Sequence, residues 1–174
     1  MSFRSVALAC MMLVSTWATA GTDPLPKGIL RVDTLTAPPL ELQDMDGEIR
    51  SLRDSAGRWT FVHFWASWCG PCREEMPTIQ RMSEALGPEL LDILMVNTAE
   101  TEDQVFMFLS AVAPDLETLM DPDGKVTGVW QPRGLPSTFL VDPEGRIHYQ
   151  ALGGRPWNTP PYIDFLRQLT GKVN

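Results

Sequence analysis

Two cysteines separated by two residues sit where an apolar run gives way to a helical pattern, and this placement constrains the fold more than any other feature. Thr60-Phe61-Val62-His63-Phe64-Trp65 is β-branched and aromatic, and reads as a central buried strand. Beyond Cys69-Gly70-Pro71-Cys72, the residues Met76, Ile79, Met82 and Leu86 recur at helical spacing until Gly87-Pro88 ends the pattern. A thiolate at a helix N-terminus faces unpaired backbone N–H groups and the positive end of the helix dipole, which stabilise it. Pro71 is tolerated there, because the first turn has no internal acceptor for the N–H that proline lacks. The spacing brings Cys72 back beneath Cys69, close enough for a disulfide but more recessed. Cys69 is therefore the expected attacking thiol and Cys72 the resolving one.

Composition removes the competing uses of these cysteines. The chain has three, and Cys10 lies in a segment with Arg4, an apolar run and the small residues Ala18-Thr19-Ala20, the pattern of a secretory signal. Residues 1–20 are expected to be a signal peptide cleaved after Ala20. An uncleaved membrane anchor is the alternative, but Val6 to Ala20 falls short of the ~20 residues a bilayer span needs. The exported part then keeps one close pair, which is no structural staple because so short a loop restrains almost nothing. Zinc wants four ligands, and only His63 and His148 could join the pair, so no metal is expected. A net charge of −8 argues against nucleic-acid binding and against attraction to anionic lipid.

The rest of the chain reads as one domain over residues 36–174, after an extended, Pro-rich lead-in over residues 21–35. Asp44-Met45-Asp46-Gly47 turns an N-terminal hairpin between Leu40-Glu41-Leu42 and Ile49-Arg50-Ser51-Leu52. Leu91–Val96 reads as the next strand. Val105, Phe106, Phe108, Leu109 and Val112 mark a second amphipathic helix. Asp142-Pro143-Glu144-Gly145 turns a hairpin between Thr138–Val141 and Arg146–Tyr149, and Tyr162, Phe165, Leu166 and Leu169 share a face of a closing helix. Asp121-Pro122-Asp123-Gly124 is a turn, lacking the further acidic ligands of a calcium loop. Met76, Met82, Met95, Met107 and Met120 are read as core filler. The pattern predicts an α/β fold with a mixed central sheet flanked by helices.

The run from Phe64 to Pro77, with Trp68-Cys69-Gly70-Pro71-Cys72 at its centre, resembles the active-site segment of thioredoxin-like proteins. Its Arg73-Glu74-Glu75-Met76-Pro77 continuation is similar to the periplasmic TlpA/ResA/CcmG branch, and Gly134-Leu135-Pro136-Ser137-Thr138 resembles the second half of that signature. The resemblance implies a thioredoxin-like fold and a redox-active Cys69–Cys72 disulfide. It implies a cis peptide before Pro136 that presents the Leu135 backbone to a substrate disulfide, with Trp68, Gly70 and Pro71 on the same binding surface. It gives Glu75 the place of a buried acid that exchanges protons with Cys72, where the alternative is a solvated carboxylate in the first helical turn.

At one position the sequence departs from the pattern. Thioredoxins carry an aspartate six residues before the first cysteine, and His63 stands there. It either passes protons near neutral pH or is a neutral strand residue satisfied by the backbone. The expected activity is that of a periplasmic reductant of protein disulfides, monomeric, with no cofactor beyond its own disulfide. The resemblance suggests a membrane electron donor of the DsbD type and apocytochrome c as a substrate. Two rivals remain. One is a peroxide-reducing redoxin, against which Ala66 stands where such enzymes place Thr or Ser. The other is a dithiol binding module or chaperone that performs no turnover.

Overall fold

The computed structural model describes residues 24–171, so the expected signal peptide lies outside it. Its eight strands are β1 (Ile29–Thr36), β2 (Glu41–Asp44), β3 (Ile49–Ser51), β4 (Thr60–Trp65), β5 (Asp92–Thr98), β6 (Leu119–Asp121), β7 (Ser137–Val141) and β8 (Arg146–Leu152). They form one mixed sheet in the order β1-β8-β7-β4-β5-β6-β2-β3. β4 runs parallel to β5 and β5 to β6, while the other pairings are antiparallel. The helices are α1 (Gly70–Leu86), α2 (Glu102–Val112), α3 (Lys125–Trp130) and α4 (Pro160–Leu169).

β4 is buried at every position because it has neighbours at both edges and cover on both faces. Phe61 and Trp65 pack with Cys72, Met76, Ile79 and Met82 of α1 and with Trp157, Tyr162 and Leu166 near and within α4. Val62 and Phe64 point the other way, into a smaller core with Val96, Trp130 and Phe139. Burying one such side chain contributes about 1.5–3 kcal/mol, so this strand is the anchor of the domain. His63 is the polar member of the first face, fully buried and stacked 5.8 Å from Phe61.

Several details differ from the sequence reading. The lead-in is extended, but Ile29–Thr36 is a true edge strand paired with β8, and Ile29 is buried in the larger core. Its other side chains, Leu30 and Leu35 among them, are mostly exposed, so the run lacks the apolar–polar alternation of a half-buried strand. Gly28 enters this strand at φ +81°, and a side chain there would overlap the Arg155 guanidinium, which reaches the Gly28 carbonyl. α3 and β6 went unpredicted, being too short to establish a period. In α2 the stripe is Val105, Phe108 and Leu109. Phe106 is 63% exposed, one step off that face. Met107 is 75% exposed and is not core filler, unlike Met76, Met82, Met95 and Met120.

The hairpin joining β7 and β8 contains a charged lock. Asp142 accepts from the Arg146 backbone N–H at 2.8 Å and from its guanidinium at 2.8 Å, and meets His148 Nε2 at 2.7 Å. Burial pushes the Asp142 carboxyl up, but these partners outweigh it and hold the group below its ordinary value of 3.8. A carboxyl depressed in the folded state adds stability above its unfolded value and loses it as pH falls through the folded one. Urea midpoints should therefore drop below about pH 4, and an Asp142→Asn variant should show a shallower drop over that range.

Candidate active site

Cys69 is the N-cap of α1, and its Sγ accepts the backbone N–H of Cys72 at 3.3 Å. The two sulfurs are bonded, with Cα atoms 5.2 Å apart. Cys69 keeps 5% of its surface while Cys72 keeps none. Trp68 beside them is 69% exposed, and Gly70 and Pro71 are also at the surface.

The Leu135–Pro136 peptide is cis. In the sheet Ser137 lies opposite Phe64, so the 134–136 loop emerges at the end of β4 that leads into Cys69. Leu135 is half-buried and Leu152, paired with Ser137, is 42% exposed. Trp68, Leu135 and Leu152 thus give this end of the sheet an apolar surface.

Beneath the pair, Glu75 is 3% exposed, one helical turn after Cys72. Its Oε2 accepts the Arg155 backbone N–H at 2.6 Å, and its Oε1 lies 3.0 Å from His63 Nε2. That approach is close but poorly aligned for a hydrogen bond, and neither atom has another partner. On its other side, His63 Nδ1 is 2.9 Å from Thr138 Oγ1. The structure thus brings His63 and Glu75 together, both buried. A Cβ on Gly154 would come within 3.2 Å of Glu75 Oε2 and of the Pro71 carbonyl. Its absence leaves a cleft of about 300 Å³, lined by Pro71, Glu74, Glu75, Gly154 and Arg155, that connects the buried acid with solvent.

Sequence reasoning missed a second carboxylate. Glu100, 5% exposed, follows β5 and accepts from the backbone N–H of Ser67 and from Asn97 Nδ2, each at 2.7 Å, and from the Ser67 hydroxyl. In the sequence nothing separates it from Glu102 and Asp103, which lie on the exposed first turn of α2. Arg155 and Gly154 were missed as well, since their role depends on a loop returning from β8. A cleft of about 700 Å³ lies at the opposite end of β4, around Thr60, away from the cysteine pair.

A bonded cysteine pair capping a helix, with a cis proline loop at the same end of a mixed sheet, defines a thioredoxin-fold redox protein. The chain belongs to the AhpC/TSA family, whose model matches residues 34–150. It is 31% identical over 111 residues to the thiol-disulfide oxidoreductase ResA of Bacillus subtilis, a match covering 64% of this chain and 62% of that protein. The chain therefore spans less than two thirds of that relative's length. Among solved structures it is similar to a thiol:disulfide interchange protein DsbE from Chlorobium tepidum, with TM-score 0.66 and 29% identity over 84% of this chain and 96% of the other. StoA from Bacillus subtilis aligns with TM-score 0.62 at 25% identity, over 77% and 97%.

Proposed function

We propose that this protein is an exported thiol–disulfide oxidoreductase that reduces disulfides in other proteins. The observation that carries the reading is the Cys69–Cys72 bond at the start of α1, open to solvent only on the Cys69 side. In the reduced protein, the Cys69 thiolate attacks one sulfur of a substrate disulfide. A mixed disulfide forms and one substrate thiolate departs. The Cys72 thiolate then attacks Cys69 Sγ, the second substrate thiolate leaves, and the Cys69–Cys72 bond is restored. Two electrons pass from the dithiol to the substrate, so each turnover leaves the pair oxidised and dependent on a reductant for the next.

Cys72 must lose a proton in the second step, and the His63–Glu75 pair beneath it is the group suited to take it. The cleft at Gly154 gives that proton a way to water. Trp68, Gly70, Pro71, Leu135 and Pro136 form the surface on which substrate backbone docks, in the manner of an added strand.

The export reading rests on the sequence of residues 1–20, and the compartment proposed with it is the periplasm. Among the described residues no helix is long and apolar enough to cross a membrane. In an oxidising compartment a reductant needs electrons delivered to it, which suits a membrane donor of the DsbD type, with apocytochrome c as a substrate and the protein acting as a monomer.

The test is a trap. A Cys72→Ser variant should accumulate mixed disulfides with protein substrates that dithiothreitol releases, as read on non-reducing gels. A peroxide-reducing redoxin would instead consume hydrogen peroxide at a rate independent of protein disulfide, and Ala66 stands against it. A binding module would hold its partner even with both cysteines replaced by serine.

A further inference from the structure

We infer that Glu100 tunes the redox pair: its carboxylate holds the Cys69 turn in place and its charge makes the Cys69 thiolate less stable, favouring the reducing direction. The inference rests on the exchange activity proposed above and names a residue that sets its poise.

Three contacts support the positioning role. Glu100 accepts from the Ser67 backbone N–H and from Asn97 Nδ2 at 2.7 Å each, and from the Ser67 hydroxyl. Ser67 lies in the turn whose Ala66 carbonyl accepts the Cys69 N–H at 3.2 Å. The carboxylate therefore ties the end of β5 to the segment that delivers the attacking sulfur. Ala99, just before it, has φ +58°, a left-handed conformation that costs energy for a residue with a side chain. The backbone is bent unfavourably to aim this side chain inward.

The charge role follows from what the site lacks. None of the ion pairs among the described residues includes Glu100. Arg73 reaches the same turn at the Ser67 carbonyl, 3.5 Å away, but its guanidinium lies over the Phe108 ring. Glu100 also lines a surface cleft between the end of β5 and the start of α2, whose other titratable groups are Glu102 and Asp103, both acidic. A glutamine could satisfy the same three contacts by accepting the two N–H groups and donating to the Ser67 hydroxyl. It would do so without the cost of burying an uncompensated charge. A carboxylate bonded to Ser67, two residues before Cys69, opposes the thiolate stabilisation that the α1 N-terminus supplies, and a less stable thiolate means a more reducing couple.

The experiment measures the equilibrium of the Cys69–Cys72 couple against glutathione or dithiothreitol, together with the pH profile of Cys69 alkylation. Glu100→Gln should shift the equilibrium about tenfold toward the dithiol, which raises the potential by about 30 mV, and should move alkylation to lower pH. Ser67→Ala keeps the charge and removes one donor that neutralises it. It should shift the equilibrium the other way, by about threefold or about 15 mV. A purely structural brace would move both variants in the same direction or leave both unmoved, and either result overturns the inference. Should Glu100→Gln fail to fold, Ser67→Ala decides alone, since a raised or unchanged potential contradicts it. A wild-type protein with no measurable couple would remove the exchange reading itself, an outcome distinct from either variant result.

Discussion

Replacing Cys69 by serine is expected to reduce insulin-disulfide reduction to the uncatalysed background while leaving the fold intact. A serine hydroxyl is not ionised near neutral pH and cannot attack sulfur in place of a thiolate, so neither the mixed disulfide nor the intramolecular bond can form. Cys69 is buried to 5% exposure in contact with other core side chains, and the exchange of sulfur for oxygen removes little volume. The loss should therefore be one of chemistry, with a thermal midpoint near that of the reduced wild type. Cys72→Ser is expected to differ in kind, giving a single covalent event and then arrest. Retained turnover in Cys69→Ser would place the reactive centre elsewhere.

The second large effect concerns the buried pair. His63→Leu leaves Glu75 Oε1 and the Thr138 hydroxyl without the imidazole that both approach. Orphaning the buried Thr138 hydroxyl costs about 1–3 kcal/mol and taking the imidazole away from the Glu75 carboxyl adds to it, so the variant should lose about 2–4 kcal/mol. In a domain of this size each kcal/mol moves the midpoint by about 2–4 °C, giving a fall of roughly 5–15 °C in calorimetry. Adding Glu75→Met should recover part of the loss, because the carboxyl that lost its partner is then gone as well. Purely additive losses in the double variant would mean that the two side chains do not interact. If the pair also takes the Cys72 proton, His63→Leu slows resolution more than attack, and mixed disulfide should linger in stopped-flow quench experiments.

The parts legible in the sequence were those in which local pattern and global role coincide. β4 was readable because its burial on both faces demands an unbroken apolar run, and α1 because its core stripe repeats at helical spacing from Met76 to Leu86. The cysteine pair declared itself through position alone. His63 and Glu75 were each visible as candidates, yet their meeting was not. They are twelve residues apart on different elements, and only the packing of α1 over β4 brings them to 3.0 Å. Glu100, Gly154 and Arg155 were hidden for the same reason, since each acts on a residue far away in sequence through a returning loop. β1 escaped notice because an edge strand with one buried residue needs no alternation of apolar and polar positions, and Phe106 misled because hydrophobicity alone does not place a side chain on the inner face.

The most direct test of the whole account is the reduction potential of the Cys69–Cys72 couple in the full chain, measured by equilibration with dithiothreitol at pH 7. With Gly-Pro between the cysteines, a single two-electron transition near about −270 mV is expected, the range of reducing thioredoxins. A value near about −120 mV would mark an oxidant and reverse the proposed flow of electrons, and no transition at all would contradict redox cycling at this site.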